Sequence, residues 1–162
     1  MSKLYKNMSY DRALEKAMRY CSYQERCLMD MEKRFYAWNV KKTDWDKIMD
    51  YLIDENYLNE TRFIEAYVRG KFVIKRWGKN KIIAGLMQLN LSGSKVTKAI
   101  DSEIEEEAYM KTIQELITKK SALINESDSL IKRDKIYRYL LSKGYESELV
   151  VKELNALGKE IS

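Results

Sequence analysis

Between Ala66 and Ile100 every charged residue is a cation: Arg69, Lys71, Lys75, Arg76, Lys79, Lys81, Lys95 and Lys98. The nearest carboxylates are Glu65 and Asp101, at its two edges. The chemistry open to such a run is attraction of anions, either phosphate groups or an acidic protein surface. Arg69, Lys71, Lys75, Arg76, Lys79 and Lys81 cannot all be buried, because an unpaired charge in a core is too costly. With few acids nearby in sequence, they are expected to face a partner. The bland alternative is a solvated helix face. Trp77 has two readings: its indole stacks on a base or packs under a partner's loop, or it pins the turn before Gly78 to its own core. The run is followed by "DSEIEEE" at 101–107, and this segregation of charge is what a basic binding face produces.

Catalytic chemistry finds no foothold. The chain has no histidine, hence no ordinary general base at neutral pH. It has no glycine-rich phosphate loop and no serine or cysteine beside an activating partner. Glu105, Glu106 and Glu107 are consecutive, so on a helix they point to different sides and make a poor metal site. No catalytic, cofactor or metal-binding residue is expected, and the protein reads as a binder. Cys21 and Cys27 lack the histidines of common zinc sites; two buried free thiols is the preferred reading over a redox pair.

The elements that must position the basic run are helices. At 162 residues the chain is one domain or a row of small units sharing a core. A mean hydropathy of −0.55 suits a soluble, helix-rich protein, and no run approaches the roughly 18 apolar residues of a membrane span. The N-terminal "MSKLYKNMSY" has no apolar leader core, which makes the cytoplasm the default location. Proline is absent, and no period-two alternation suggests a strand. Helical stripes recur: Ala13, Leu14, Ala17 and Met18; Phe63, Ala66, Tyr67 and Phe72; Ile113, Leu116 and Ile117; Ile136, Tyr137, Leu140 and Leu141. "SYQE" at 22–25 reads as a capping box of Ser22 and Glu25. Thr43, Asn59, Ser94 and Ser147 are N-cap candidates. The predicted fold class is all-α.

A repeat organises these helices. Asn39-Val40, Asn90-Leu91 and Gly144-Tyr145 each pair a residue able to adopt the left-handed helix-ending conformation with an apolar one. Aligned on them, the positions six and ten residues on are Trp45, Val96 and Val150, then Met49, Ile100 and Leu154. Eight, four and three residues before lie Met31, Phe35 and Tyr36; Ile82, Leu86 and Met87; Ile136, Leu140 and Leu141. All are apolar. The pattern predicts three tandem three-helix units, 1–58, 59–105 and 106–162, stacked into an elongated, curved monomer.

"YCSYQERCLMDMEKRFYAWN", then "NETRFIEAYVRGKFVIKRWGKNKI" and "YRYLLSKGYESELVVKEL", resemble the RecX family, the bacterial regulators of the RecA recombinase. The matching positions are Ser22 and Glu25 in the first unit. In the second they are Asn59, Arg62, Phe63, Tyr67, Arg69, Lys71, Gly78, Lys81 and Ile82. Asn59 stands where an aspartate is common, and both residues cap helices. The resemblance implies a non-enzymatic protein lying in the groove of a RecA filament on single-stranded DNA, inhibiting strand exchange, ATP hydrolysis and co-protease activity. On that basis Arg62, Arg69, Lys71, Lys75, Arg76, Trp77, Lys79 and Lys81 are the expected filament-binding residues. Single- or double-stranded DNA is a further expected partner, and no membrane is involved. Two rivals keep the fold: a helical nucleic-acid binder acting without RecA, and a scaffold for another acidic protein.

Overall fold

The computed structural model describes residues 6–160, with the backbone alone at 159 and 160. Residues 1–5, part of the N-terminal stretch judged above not to be a leader, lie outside the described residues. Nine helices run in order among the described residues: α1 (Tyr10–Tyr23), α2 (Leu28–Ala37), α3 (Lys42–Asp54), α4 (Glu60–Val73), α5 (Lys79–Gln88), α6 (Ser94–Glu103), α7 (Glu106–Leu123), α8 (Ser129–Ser142) and α9 (Ser147–Glu160). No strand occurs among these residues beyond an isolated bridge of Met8 with Val40. None of the described helices is long and apolar enough to cross a membrane. The chain forms two compact units divided between Ala66 and Tyr67.

The helices end where the sequence says they must. Asn39, Asn90 and Gly144 have φ of 56°, 61° and 97°, all left-handed. In each turn the following amide reaches back five residues: Val40 to Phe35, Leu91 to Leu86 and Tyr145 to Leu140, at 2.9, 3.0 and 3.1 Å. The amide of the left-handed residue bonds three back, to Tyr36, Met87 and Leu141. These paired bonds satisfy carbonyls that the end of a helix would otherwise orphan. A fourth turn of the same kind closes α3 at Asn56, with φ 62° and Tyr57 N–H on Leu52 O at 2.8 Å.

The repeat register also holds for most of the core. Met31, Phe35, Ile82, Leu86, Ile136 and Leu140 are buried, as are Met49, Val96, Ile100, Val150 and Leu154. In the first unit α1–α3 close over Ala13, Ala17, Met31, Phe35, Ile48 and Leu52. Trp45 packs on Phe35 with ring centroids 5.8 Å apart, while its indole N–H bonds Val40 O at 3.0 Å and ties α3 to the turn. The third apolar position is not part of the core. Tyr36, Met87 and Leu141 are exposed, since a residue one step from the buried Phe35, Leu86 or Leu140 is turned about 100° around the helix.

The cap at 22–25 is a correction. Ala13, Ala17 and Cys21 form one buried stripe, which carries α1 through Ser22; the Ser22 hydroxyl donates to Met18 O inside that helix. The capping box sits at Cys27, whose N–H donates to the Asp30 carboxylate at 3.1 Å. Asn59 caps as expected, accepting from Arg62 N–H at 2.9 Å. Thr43 lies inside α3, and Ser94 and Ser147 are first helical residues rather than caps. Asp128, not singled out in the sequence, caps α8 through Leu130 and Ile131 N–H.

In the second unit, the start of α5 docks on the end of α8. Gly78 N–H donates to Lys143 O at 2.7 Å and Asn80 N–H to Gly144 O at 3.0 Å. Two backbones this close leave no room for a Cβ. One on Gly78 would overlap the Gly144 carbonyl and Tyr145 N, and one on Gly144 would overlap Lys81. Gly78→Ala should therefore lower stability by about 1–3 kcal/mol through overpacking. Gly70→Ala, inside α4 with open space around it, should raise it by about 0.5–1 kcal/mol. Urea unfolding followed by circular dichroism measures both; a Gly78→Ala protein as stable as wild type would contradict the close approach.

Both cysteines are buried free thiols, as the preferred reading held. Burial pushes Cys21 up to about 11 and raises Cys27 as well. The folded Cys21 thiol keeps its proton while the unfolded one ionises near about 8.5. Its contribution to stability is thus full below that pH and drains away as pH rises toward 11. At pH 8 neither thiol should react with a disulfide dye within minutes, and both should react at once in urea. Rapid native labelling would show that the thiols are accessible.

Candidate functional site

The basic segment spans the end of α4, an irregular turn and the start of α5. Arg76 takes a left-handed φ of 57°, unusual for a side chain of its size. Trp77 N–H returns to Lys71 O at 2.9 Å, which closes the turn, and Tyr145 OH donates to Arg76 O at 2.7 Å. Lys143 Nζ donates to Lys75 O at 2.9 Å. The turn is therefore held at three consecutive residues by α4 and by the end of α8. Beneath it, Tyr109 stacks between Phe72 and Tyr145, at centroid distances of 5.9 and 5.3 Å. The Tyr109 hydroxyl donates to Glu146 and accepts Lys79 N–H at 3.0 Å. Burial, and secondly the Glu146 bond, raise the Tyr109 hydroxyl well above a free phenol, so it stays a donor at any working pH.

The expectation that the segment lacks acids to pair with is corrected for its arginines. Arg69 makes a two-pronged bond to Glu103, at 2.9 and 3.1 Å, and this holds the Glu103 carboxyl below its usual range. Arg76 bonds Glu115 at 2.6 Å. These acids lie in α6 and α7, too far along the chain for a local reading to supply.

The lysines behave differently. Lys71 and Lys81 each lie 4.6 Å from the centroid of Trp77, and Lys71 is also 5.3 Å from Tyr67. Lys79 is 4.6 Å from Tyr109. Lys75 is exposed. No ion pair to a carboxylate is seen for Lys71, Lys75, Lys79 or Lys81 among the described residues. For Lys71, Lys79 and Lys81 it is the ammonium group itself that lies over a ring, which orders the side chain without neutralising its charge. Trp77 is half-buried beneath two ammonium groups.

Arg62 belongs to the other compact unit. It bonds Glu25 at 2.5 Å and the carbonyls of Asn56 and Tyr57 at 3.0 and 3.3 Å. Glu25, read in the sequence as half of a capping box, is thus the anchor of Arg62 instead. Lys143 is the residue the sequence reading missed: it lies 62 residues beyond Lys81, and only the docking of α5 on α8 brings it to the turn. Among the described residues there is no group of three or more His, Cys, Asp and Glu side chains able to hold a metal.

Two family models match the chain: the second three-helix domain of RecX over residues 59–100, and the third three-helix domain of RecX over residues 106–152. The chain belongs to the RecX family. Among relatives, "Regulatory protein RecX" of Clostridium tetani is 34% identical over 115 residues, which is 69% of this chain and 51% of that protein. The protein of the same name from Streptococcus uberis is 27% identical over 155 residues, 91% of this chain and 55% of its own. The chain spans about half the length of the curated relatives it matches. The crystal structure of RecX from Lactobacillus salivarius superposes with a TM-score of 0.79 at 20% identity, covering 92% of this chain and 96% of that one. A second structure, of regulatory protein RecX, gives 0.81 at 18% identity over 90% and 73%. These superpositions establish a shared RecX fold.

Arg62 and Arg69 differ in what they hold: Arg62 bonds Glu25 and two carbonyls, Arg69 the Glu103 carboxylate. Arg62→Ala should cost about 2 kcal/mol or more, because it strands a partly buried carboxylate and two carbonyls. Arg69→Ala, which removes a guanidinium more exposed than that of Arg62, should cost under about 1 kcal/mol. Chemical denaturation of the two variants checks the ranking; equal costs would mean that Arg62 is not a clamp.

Proposed function

We propose that this RecX-family chain binds the RecA filament on single-stranded DNA and mainly inhibits its recombinase, ATPase and co-protease activities. The observation that carries the reading is the lysine-rich turn of the second unit. Its guanidinium groups are matched to acids, while Lys71, Lys75, Lys79 and Lys81 present charge that no described carboxylate neutralises. A filament offers both DNA phosphate and acidic protein surface to such a turn. The contact surface is then Arg69, Lys71, Lys75, Arg76, Trp77, Lys79 and Lys81, with the lysines supplying most of the attraction. Arg62, pinned in the other unit, is left out of it. The protein acts by occupancy rather than turnover, in the cytoplasm, as a monomer of three units at 1–58, 59–105 and 106–162.

Purified protein should suppress DNA-dependent ATP hydrolysis by RecA, and the suppression should weaken as salt rises. Neutralising Lys71, Lys75 and Lys79 together to glutamine should raise the half-inhibiting concentration about tenfold or more, with helicity unchanged. The matched pair Lys132→Gln and Lys135→Gln should shift it by less than about twofold. A folded triple variant that inhibits as well as wild type would sink the proposed surface. Retention of DNA but not RecA in nuclease-controlled pull-downs would favour a nucleic-acid binder acting alone.

A further inference from the structure

Lys143 sits at the joint of α5 and α8 as one cation among several. Its Nζ donates to Lys75 O at 2.9 Å, and its own carbonyl accepts from Gly78 N–H at 2.7 Å. Close by, the Tyr145 hydroxyl holds Arg76 O at 2.7 Å, and Gly144 lies so near Lys81 that a Cβ on it would overlap that residue. These contacts gather Lys75, Arg76 and Lys81 around one amine. Burial, then the charges of Lys81, Arg76 and Lys75, pull Lys143 below its ordinary value. A lysine that is desolvated beside other cations gives up its proton more readily, and the free amine is a nucleophile. The bond to Lys75 O does not block it. A neutral amine can spend one N–H on that carbonyl and still present its lone pair.

We propose that Lys143 is a site of acylation by small acyl phosphates, whose phosphate end is seated by Lys75, Arg76 and Lys81. In the reaction the neutral Nζ attacks the acyl carbonyl. A C–N bond forms, the bond from that carbon to the phosphate oxygen breaks, and phosphate leaves with the electron pair. The surplus amine proton passes to the departing phosphate, so no oxidant or further reactant is needed. The same cations that disfavour a charged Lys143 attract the reagent's phosphate oxygens and stabilise the leaving group. Arg76 already shares the Glu115 carboxylate, so Lys75 and Lys81 carry most of this attraction. The product is an amide whose remaining N–H can still donate to Lys75 O, while the cluster loses one charge. Acylation thus relieves repulsion and leaves the joint its bond. The inference goes beyond the reading of the turn as a contact surface and holds whatever that surface binds.

The test incubates the whole protein with acetyl phosphate at mildly alkaline pH and follows each lysine by peptide mass spectrometry. Lys143 should be acetylated about fivefold or more faster than Lys98 and Lys119. Those two belong to the same compact unit and are more exposed, so accessibility alone predicts the reverse order. In urea, which dissolves the joint, the three rates should converge. The uncharged N-hydroxysuccinimide ester of acetic acid meets the same amine without the phosphate, and should favour Lys143 by a smaller factor. Lys75→Gln with Lys81→Gln should slow acetylation of Lys143 by acetyl phosphate about threefold or more, with helicity and the Lys98 rate unchanged. Lys143 reacting no faster than Lys98 and Lys119 would overturn the site. So would a preference that survives urea, which would belong to the local sequence rather than the cluster. Equal preference for the charged and uncharged reagents would overturn the seating of the phosphate.

Discussion

The second compact unit depends on two backbones meeting with nothing between them. The end of α8 leaves carbonyls with no helical partner, and the start of α5 leaves amides in the same condition. Here each supplies what the other lacks, with Gly78 and Asn80 donating to Lys143 and Gly144. The helix dipoles reinforce the joint, positive end against negative. Such an approach is possible only where neither chain carries a Cβ, which explains why the third helix-ending turn uses glycine. The other two use Asn39 and Asn90, and Asn39 O accepts a backbone bond of its own, from Met8 N–H at 3.0 Å. Tyr109 completes the joint by offering its hydroxyl to Lys79 N–H.

From that joint follows the distribution of charge. The turn 75–78 is fixed by bonds to its backbone, so its side chains are free for other work. Arginine and lysine then divide. Planar guanidinium groups pair with Glu103 and Glu115 and add cross-links to α6 and α7; ammonium groups lie along Trp77, Tyr67 and Tyr109 and keep their charge available. A rigid turn carrying ordered but unneutralised cations is what an electrostatic binding surface requires, since little ordering remains to be done on binding.

Features with local causes were legible in the sequence. Asn39, Asn90 and Gly144 announce helix ends because few residues tolerate the left-handed conformation, and the apolar residues around them follow the helix period. Asn59 as a cap is local in the same sense. Ser22 and Glu25 misled because a four-residue pattern was overruled by the stripe of Ala13, Ala17 and Cys21. Tyr36, Met87 and Leu141 share the apolar repeat yet are exposed, since an apolar residue is not thereby a buried one. What could not be read was non-local. Glu103 and Glu115 lie 34 and 39 residues from their arginines, and Lys143 lies 68 from Lys75. The sequence marked the basic turn correctly as unusual, but it could not say which of its charges were already spoken for.

The backbone joint is most directly tested by amide hydrogen exchange, resolved by residue with NMR. First-turn amides of a helix ordinarily face water and exchange quickly. If α5 is docked as described, Gly78 and Asn80 N–H should exchange slowly, with protection comparable to buried helical amides such as Leu86. The first-turn amides of α7, Glu106 and Glu107, which begin a helix without a side-chain cap bond, should exchange fast in the same sample. Gly78 and Asn80 exchanging as fast as Glu106 and Glu107 would show that the joint is open in solution.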